Sequence, residues 1–249
     1  MNPRFLAPGS YATGDLVPLP SDEAQHLSRV LRLQRGDRVR VFNGAGAEFE
    51  AIVEEVSRQQ AAVRVGAAVT AAPEARVSVT LVQAVLKGDK MDDVVRDGVM
   101  LGVTAIQPVV TRRAETSREA LVRAHRRERW SRVAVSSAKQ CGRAVVPAIG
   151  EPQAFEAALE DVAAGRLPSP ALMFVEPSAS AHAAPLHPLG STPPREAALL
   201  IGPEGGWDPT EIAQAARACR LVTLGARTLR ADVMAVVALS ALFTLWNEF

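Results

Sequence analysis

Two hydrophobic periods divide the chain. Up to about residue 70, apolar and polar positions alternate in short runs. "RVRVFNG" and "AEFEAIVEEV" flank a turn built on Asn43-Gly44-Ala45-Gly46, and "AAVRVGAAV" follows. Alternation around a Gly-rich turn predicts paired strands, and hence a small barrel or sandwich. One helix is predicted before them, with Ser21 as N-cap, Asp22 and Glu23 in the first turn, then His26, Leu27, Val30 and Leu31. "TAAPEAR" (70–76) reads as a linker.

From Val77 the pattern switches to strands alternating with helices. "VSVTLVQAVL" and "AIQPVVT" read as strands around the helical "DKMDDVVRDGVML". An Arg-rich helix to about Gln140, a short strand "VVPAI" and the helix "AFEAALEDVAA" follow. Then come the strands "ALMFV", "AALLI" and "LVTLG", and a long helix from about Asp232. Repeated β-α-β order predicts an α/β domain on a parallel sheet. The segment "EPSASAHAAPLHPLGSTPPRE" (176–196) has no periodicity, and a stretch of that kind in a compact domain is usually functional or mobile.

Composition narrows the class. With 249 residues the chain has room for two domains and a full core. The longest apolar run, Val233 to Trp246, is interrupted by Ser240 and Thr244 and is short for a membrane span. "MNPRFLAPGS" lacks the apolar core of a secretory signal, so a cytoplasmic protein is expected. Cys141 and Cys219 lie far apart without CxxC spacing, which excludes a disulfide framework and a cysteine-based zinc site. The histidines at 26, 125, 182 and 187 are scattered, so no metal is expected. The net charge is +1, but residues 112–132 hold eight arginines against three glutamates. A stripe of that density suits a phosphate backbone, but taken alone it reads first as a solvated helix face in an Arg- and Ala-rich chain.

Candidate chemistry concentrates where parallel strands end, because ligands bind outside their carboxyl ends. Three ends stop in Gly or Pro turns: Phe174-Val175-Glu176-Pro177, Ile201-Gly202-Pro203-Glu204 and Leu224-Gly225-Ala226. After the second, Asp208 as N-cap, Pro209 at the first helical position and Glu211 three residues on predict a capped helix. "GPEGGW" is neither GxGxxG nor a P-loop. Glu204 would repel a pyrophosphate but tolerate a neutral or cationic ligand.

"LLIGPEGGWDPTEI" followed by "LVTLGARTLR" resembles the signature of SPOUT-superfamily methyltransferases, in particular the bacterial 16S rRNA (uracil-N3)-methyltransferases of the RsmE type. "HLSRVLRLQRGD", "LKGDKMDDVV", "LGVTAIQPVVT" and "AKQCGRAVVP" are similar to further family blocks, in the same order. The resemblance implies a PUA-like RNA-binding domain over 1–72 and a SPOUT domain with a trefoil knot over 73–249. It also implies a homodimer that uses S-adenosylmethionine on 16S rRNA of the 30S subunit. Carried over by position, it implies a cofactor site of Phe174, Val175, Ile201, Gly202, Glu204, Gly205, Leu224, Gly225, Thr228, Leu229 and Arg230. Arg4, Arg29, Arg32, Arg112, Arg113, Arg126, Arg127, Gln140 and Arg143 would meet RNA; His26 matches a family block and reads equally as a packed residue.

Uracil N3 carries an imide proton that must leave, so a base or an anion-stabilising cation is needed. Arg230 is the candidate cation, with a structural salt bridge at the start of the last helix as the alternative. Glu204 is a candidate base, with a role in fixing the turn or binding the cofactor as the alternative. The family's Leu-Arg-x-Glu-Thr-Ala reads Leu229-Arg230-Ala231-Asp232-Val233-Met234 here, and Asp97 and Met100 replace a Lys and a Glu. An RNA-binding protein with altered or lost catalysis, or a methyltransferase for another RNA site, therefore stays open.

Overall fold

The computed structural model describes residues 2–179, 183–190 and 192–249. The chain forms two compact units, one from the residues up to Glu74 with Val135–Val146, the other from Ala75–Ala134 with Pro147–Phe249.

In the first unit the strands are β1 (Arg4–Leu6), β2 (Leu16–Pro18), β3 (Arg38–Phe42), β4 (Glu48–Val56) and β5 (Ala61–Val69), ordered β1-β3-β4-β5-β2. β3, β4 and β5 are the strands the alternation predicts, joined antiparallel. The Gly-rich turn is held by Asn43, whose Oδ1 accepts from the amides of Ala45 and Ala47 at 2.8 and 3.0 Å. β1 and β2 are too short to leave a period, and only pairing with β3 and β5 makes them strands. Inward residues Phe5, Leu27, Val39, Val41, Val53 and Val63 form the core. The predicted helix is α1 (Ser21–Gln25), continued as a π-helix over His26–Val30. Ser21 is its first residue rather than its cap: Pro20, at φ −51° and ψ 153°, stands at the N-cap with no side-chain bond.

The second unit is built on β6 (Ser78–Ala84), β7 (Ala105–Val110), β8 (Ala148–Ile149), β9 (Gln153–Ala154), β10 (Ala171–Phe174), β11 (Ala184–Pro185), β12 (Glu196–Ile201) and β13 (Arg220–Thr223). They form one sheet in the order β11-β13-β10-β12-β6-β7-β8, with β9 on β7, and every pair is parallel. The helices are α2 (Lys90–Leu101), α3 (Arg118–Arg123), α4 (Arg126–Cys141), α5 (Phe155–Ala163), α6 (Pro209–Ala215) and α7 (Ala231–Leu245). Both faces of a crossover-built sheet are covered, so its strands carry continuous apolar runs. β12 shows this: Ala198 and Leu200 join a core with Met173, Phe155 and Trp207, while Ala197, Leu199 and Ile201, pointing the other way, are also fully buried.

Two further expectations need correction. The Arg-rich helix is two helices, because His125 adopts φ 48°, a left-handed conformation no helix passes through. The aperiodic segment 176–196 is not structureless. It contributes β11, paired with β13, and a 3-10 turn over His187–Gly190. His182, one of the four scattered histidines, lies outside the described residues.

Candidate active site

Sheet order brings the three turns together. β10 lies between β12 and β13, so their carboxyl ends open side by side although 50 residues separate them in sequence. A cavity of about 190 Å³ sits there, reached by Phe174 and Val175 after β10, by Gly202 and Glu204 after β12, and by Leu224, Thr228, Leu229 and Arg230 after β13. Ile201, Gly205 and Gly225, also expected in the site, do not line it. Ile201 is fully buried in the sheet, and a Cβ on Gly205 would meet Arg113 at 3.2 Å.

The β12 turn is held from both sides. Glu211, fully buried, accepts from the Arg112 amide with Oε1 and from the Asp208 amide with Oε2, both at 2.9 Å. Asp208 Oδ1 accepts from the Thr210 amide at 2.9 Å, which completes the predicted capping box. Trp207 donates from Nε1 to the Phe174 carbonyl at 2.8 Å, tying the β12 turn to the end of β10. Gly202 leaves room for that indole, since a Cβ there would lie 3.0 Å from it.

Two ion pairs line the cavity. Lys90 Nζ lies 2.9 Å from Glu204 Oε1, which also accepts from the Lys87 amide at 3.2 Å. Partial burial works to raise the Glu204 carboxyl. The Lys90 hydrogen bond, two backbone amides and the Lys90 charge outweigh it and hold the carboxyl below its usual range. A carboxylate held in that state is a poor proton acceptor and a good fixed anion. Arg230 forks onto Asp232, Nε to Oδ1 at 3.2 Å and Nη2 to Oδ2 at 3.1 Å. The hydrogen bond and charge of Asp232 raise the guanidinium further above its ordinary value.

The cavity suits a nucleoside bearing a cation. Apolar walls come from Phe174, Val175, Leu224 and Leu229, and Glu204 supplies a negative charge. The hydroxyl of Thr223, another lining residue, is buried with no hydrogen-bond partner among the described residues. Lys90, Glu176, Trp207, Thr223 and Arg227 line the cavity without having been singled out from sequence. For Lys90 a signal existed. "VLKGDK" follows a strand end just as the other three turns do, but only the sheet order shows that β6 neighbours β12.

The arginines sort by what already holds them. Arg4 was placed on an RNA surface and is instead buried. Its guanidinium binds Glu48 at 3.0 and 2.8 Å and the carbonyls of Ala138, Lys139 and Arg143 at 2.7 to 2.9 Å. Arg143 is likewise buried, against Glu74. Both are internal because a guanidinium can satisfy several carbonyls and a carboxylate at once. Arg29, Arg32, Arg112, Arg113, Arg127 and Gln140 are exposed, and Arg126 is half-buried. Among them Arg113 donates to the Gly205 carbonyl at 3.0 Å, and Arg127 to Glu151 at 2.7 Å. His26 is half-buried against the Phe5 ring. Among the described residues no group of side chains could hold a metal ion, and no helix is long and apolar enough to cross a membrane.

Comparison with known proteins gives a consistent picture. A model of the RNA methyltransferase domain matches residues 73–243, and one of the RNA methyltransferase PUA domain matches residues 19–66. The chain is 32% identical over 232 residues to the ribosomal RNA small subunit methyltransferase E of Synechocystis, covering 92% of this chain and 73% of that protein. The Bacillus subtilis protein of the same name is 25% identical, with 90% and 88% covered. Among solved structures, a Legionella pneumophila protein with SAM bound superposes with a TM-score of 0.88 at 30% identity, covering 98% of each chain. The Neisseria gonorrhoeae ribosomal RNA small subunit methyltransferase E, bound to S-adenosyl methionine, gives 0.85 at 31%, with 99% and 98% covered.

Proposed function

The chain belongs to the RNA methyltransferase family, and on that premise we propose that it methylates N3 of a uridine in 16S rRNA of the small ribosomal subunit, with S-adenosylmethionine as methyl donor. The observation that carries this is the cavity at the ends of β10, β12 and β13, with apolar walls, a fixed anion and an exposed arginine in one place.

The donor supplies an electrophilic methyl group on a sulfonium. The protein's part is alignment and charge. Phe174, Leu224 and Leu229 offer faces to an adenine, and the turn amides and carbonyls offer its edge. Holding donor and base in line accounts for much of the rate. Glu204, kept ionised, suits a cation better than a proton, so the anchoring role is favoured over that of base. Arg230 is the group for the negative charge that spreads over uracil O2 and O4 as the N3 proton leaves.

Several finer readings go with this one. A trefoil knot through the cofactor loops, where β10 lies between β12 and β13 in the sheet, is part of the reading. The exposed Val233 on α7 and Met100 on α2 support a homodimer. Exposed Arg29, Arg32, Arg112, Arg113 and Arg127, with Arg126 and Gln140, would position rRNA through its phosphates while the target base is flipped. The cytoplasm is the compartment where such a substrate is met.

The test is transfer of labelled methyl from S-adenosylmethionine to 30S subunits lacking the modification, followed by nucleoside analysis. Labelled 3-methyluridine is expected. Donor binding with no label in any nucleoside would favour an RNA-binding protein that has lost catalysis, and a different labelled nucleoside another target.

A further inference from the structure

We propose that Lys90 and Glu204 together form the site for the amino-acid end of the methyl donor, Glu204 taking its α-ammonium and Lys90 its α-carboxylate. This rests on the reading of the cavity as the S-adenosylmethionine site.

The pair is arranged as half of a four-charge contact. Both bonds that Glu204 receives from other residues fall on Oε1, from Lys90 Nζ and from the Lys87 amide. Oε2 takes none from another residue among those described. The Lys90 ammonium has three protons and directs one at Glu204. Both side chains line the cavity at about one-third exposure, 35% and 34%, so each is reachable by a ligand and only partly screened. An α-amino acid carries its ammonium and carboxylate on one carbon. A fixed acid beside a fixed base meets that zwitterion with opposite charges in register, and each new contact is charge-assisted.

Other charges nearby do not offer this. Arg230 occupies both oxygens of Asp232, and its side chain is 73% exposed, which points it toward a substrate arriving from solvent. Lys87 pairs with Glu115 at 2.9 Å and does not line the cavity. Glu176 and Arg227 line the cavity as well, but no ion pair among the described residues sets an acid beside a base at either of them; Lys90 with Glu204 is the joined acid and base that keeps an acceptor oxygen and donors to offer.

Calorimetry separates the two contacts with ligands that each lack one group. S-adenosylhomocysteine keeps both, decarboxylated S-adenosylmethionine keeps only the ammonium, and 5′-methylthioadenosine keeps neither. Lys90→Met should weaken S-adenosylmethionine and S-adenosylhomocysteine about ten-fold. The same change should leave 5′-methylthioadenosine unchanged and decarboxylated S-adenosylmethionine unchanged or tighter, a like charge having been removed. Lys90→Arg should retain most of the affinity. Glu204→Gln should weaken every ligand that carries the ammonium and spare 5′-methylthioadenosine. Equal losses for all four ligands in Lys90→Met would overturn the proposal and make Lys90 a support of the turn; no loss for any would overturn it as well. Failure of the wild-type protein to bind S-adenosylmethionine or S-adenosylhomocysteine would instead overturn the cofactor reading beneath it.

Discussion

Arg230 grips Asp232 with two nitrogens on two oxygens, at 3.2 and 3.1 Å, across one intervening residue. The resembling family has Glu at that position. The shorter carboxylate here holds the guanidinium at the mouth of the cavity.

Arg230→Ala should therefore lower kcat by about 10²–10³-fold, the scale for losing one group that stabilises developing charge. S-adenosylhomocysteine affinity, measured by calorimetry, should change only a few-fold. Asp232→Asn loosens the guanidinium without removing it and should cost less kcat. A large loss of affinity with kcat intact would assign Arg230 to donor binding alone.

Donor affinity should also follow the ionisation of Glu204. Its folded carboxyl lies below the ordinary carboxylate range, so its contribution is present above that range and is lost as pH falls through the lowered value. Titrating S-adenosylhomocysteine affinity against pH, with circular dichroism to monitor folding, should show the loss setting in below the range where an ordinary carboxyl protonates. In Lys90→Met the midpoint should move up, because the largest of the lowering interactions is gone.

Trp207 offers an optical readout. It lines the cavity, whereas Trp130 and Trp246 are 1% and 2% exposed elsewhere in the core. Donor binding should change tryptophan emission. The change should vanish in Trp207→Phe, while calorimetry still detects binding, weakened several-fold by loss of the bond to the Phe174 carbonyl.

Glu211 bears on stability rather than chemistry. Its carboxylate satisfies the amides of Arg112 and Asp208 from a fully buried position. Glu211→Ala leaves both donors without that acceptor and should cost about 2–4 kcal/mol. A lowered urea midpoint would report it.

The Arg4–Glu48 pair makes a contrasting case. Arg4→Met leaves a carboxylate buried without its main partner and should cost about 3–5 kcal/mol. Glu48→Leu added to it should recover part of that loss, giving a non-zero coupling in a double-mutant cycle. RNA affinity of the folded fraction should stay at the wild-type value; a specific fall would return Arg4 to the RNA surface.

Local chemistry determined much of this protein directly from its sequence. Period-two runs became β3, β4 and β5, apolar runs became the parallel strands, and Asp208-Pro209 with Glu211 started α6, because each depends on neighbours within a few residues. The β10, β12 and β13 turns were legible as a site for the same reason: Gly and Pro punctuate strand ends. Tertiary structure alone decided that β6 lies beside β12, which brings Lys90 to Glu204 across more than a hundred residues of sequence. It alone decided that Arg4 and Arg143 face inward, since an arginine's exposure depends on which carboxylates and carbonyls the fold brings to it. Sequence specifies which groups a segment carries, and only packing determines which of those groups still have a bond to offer.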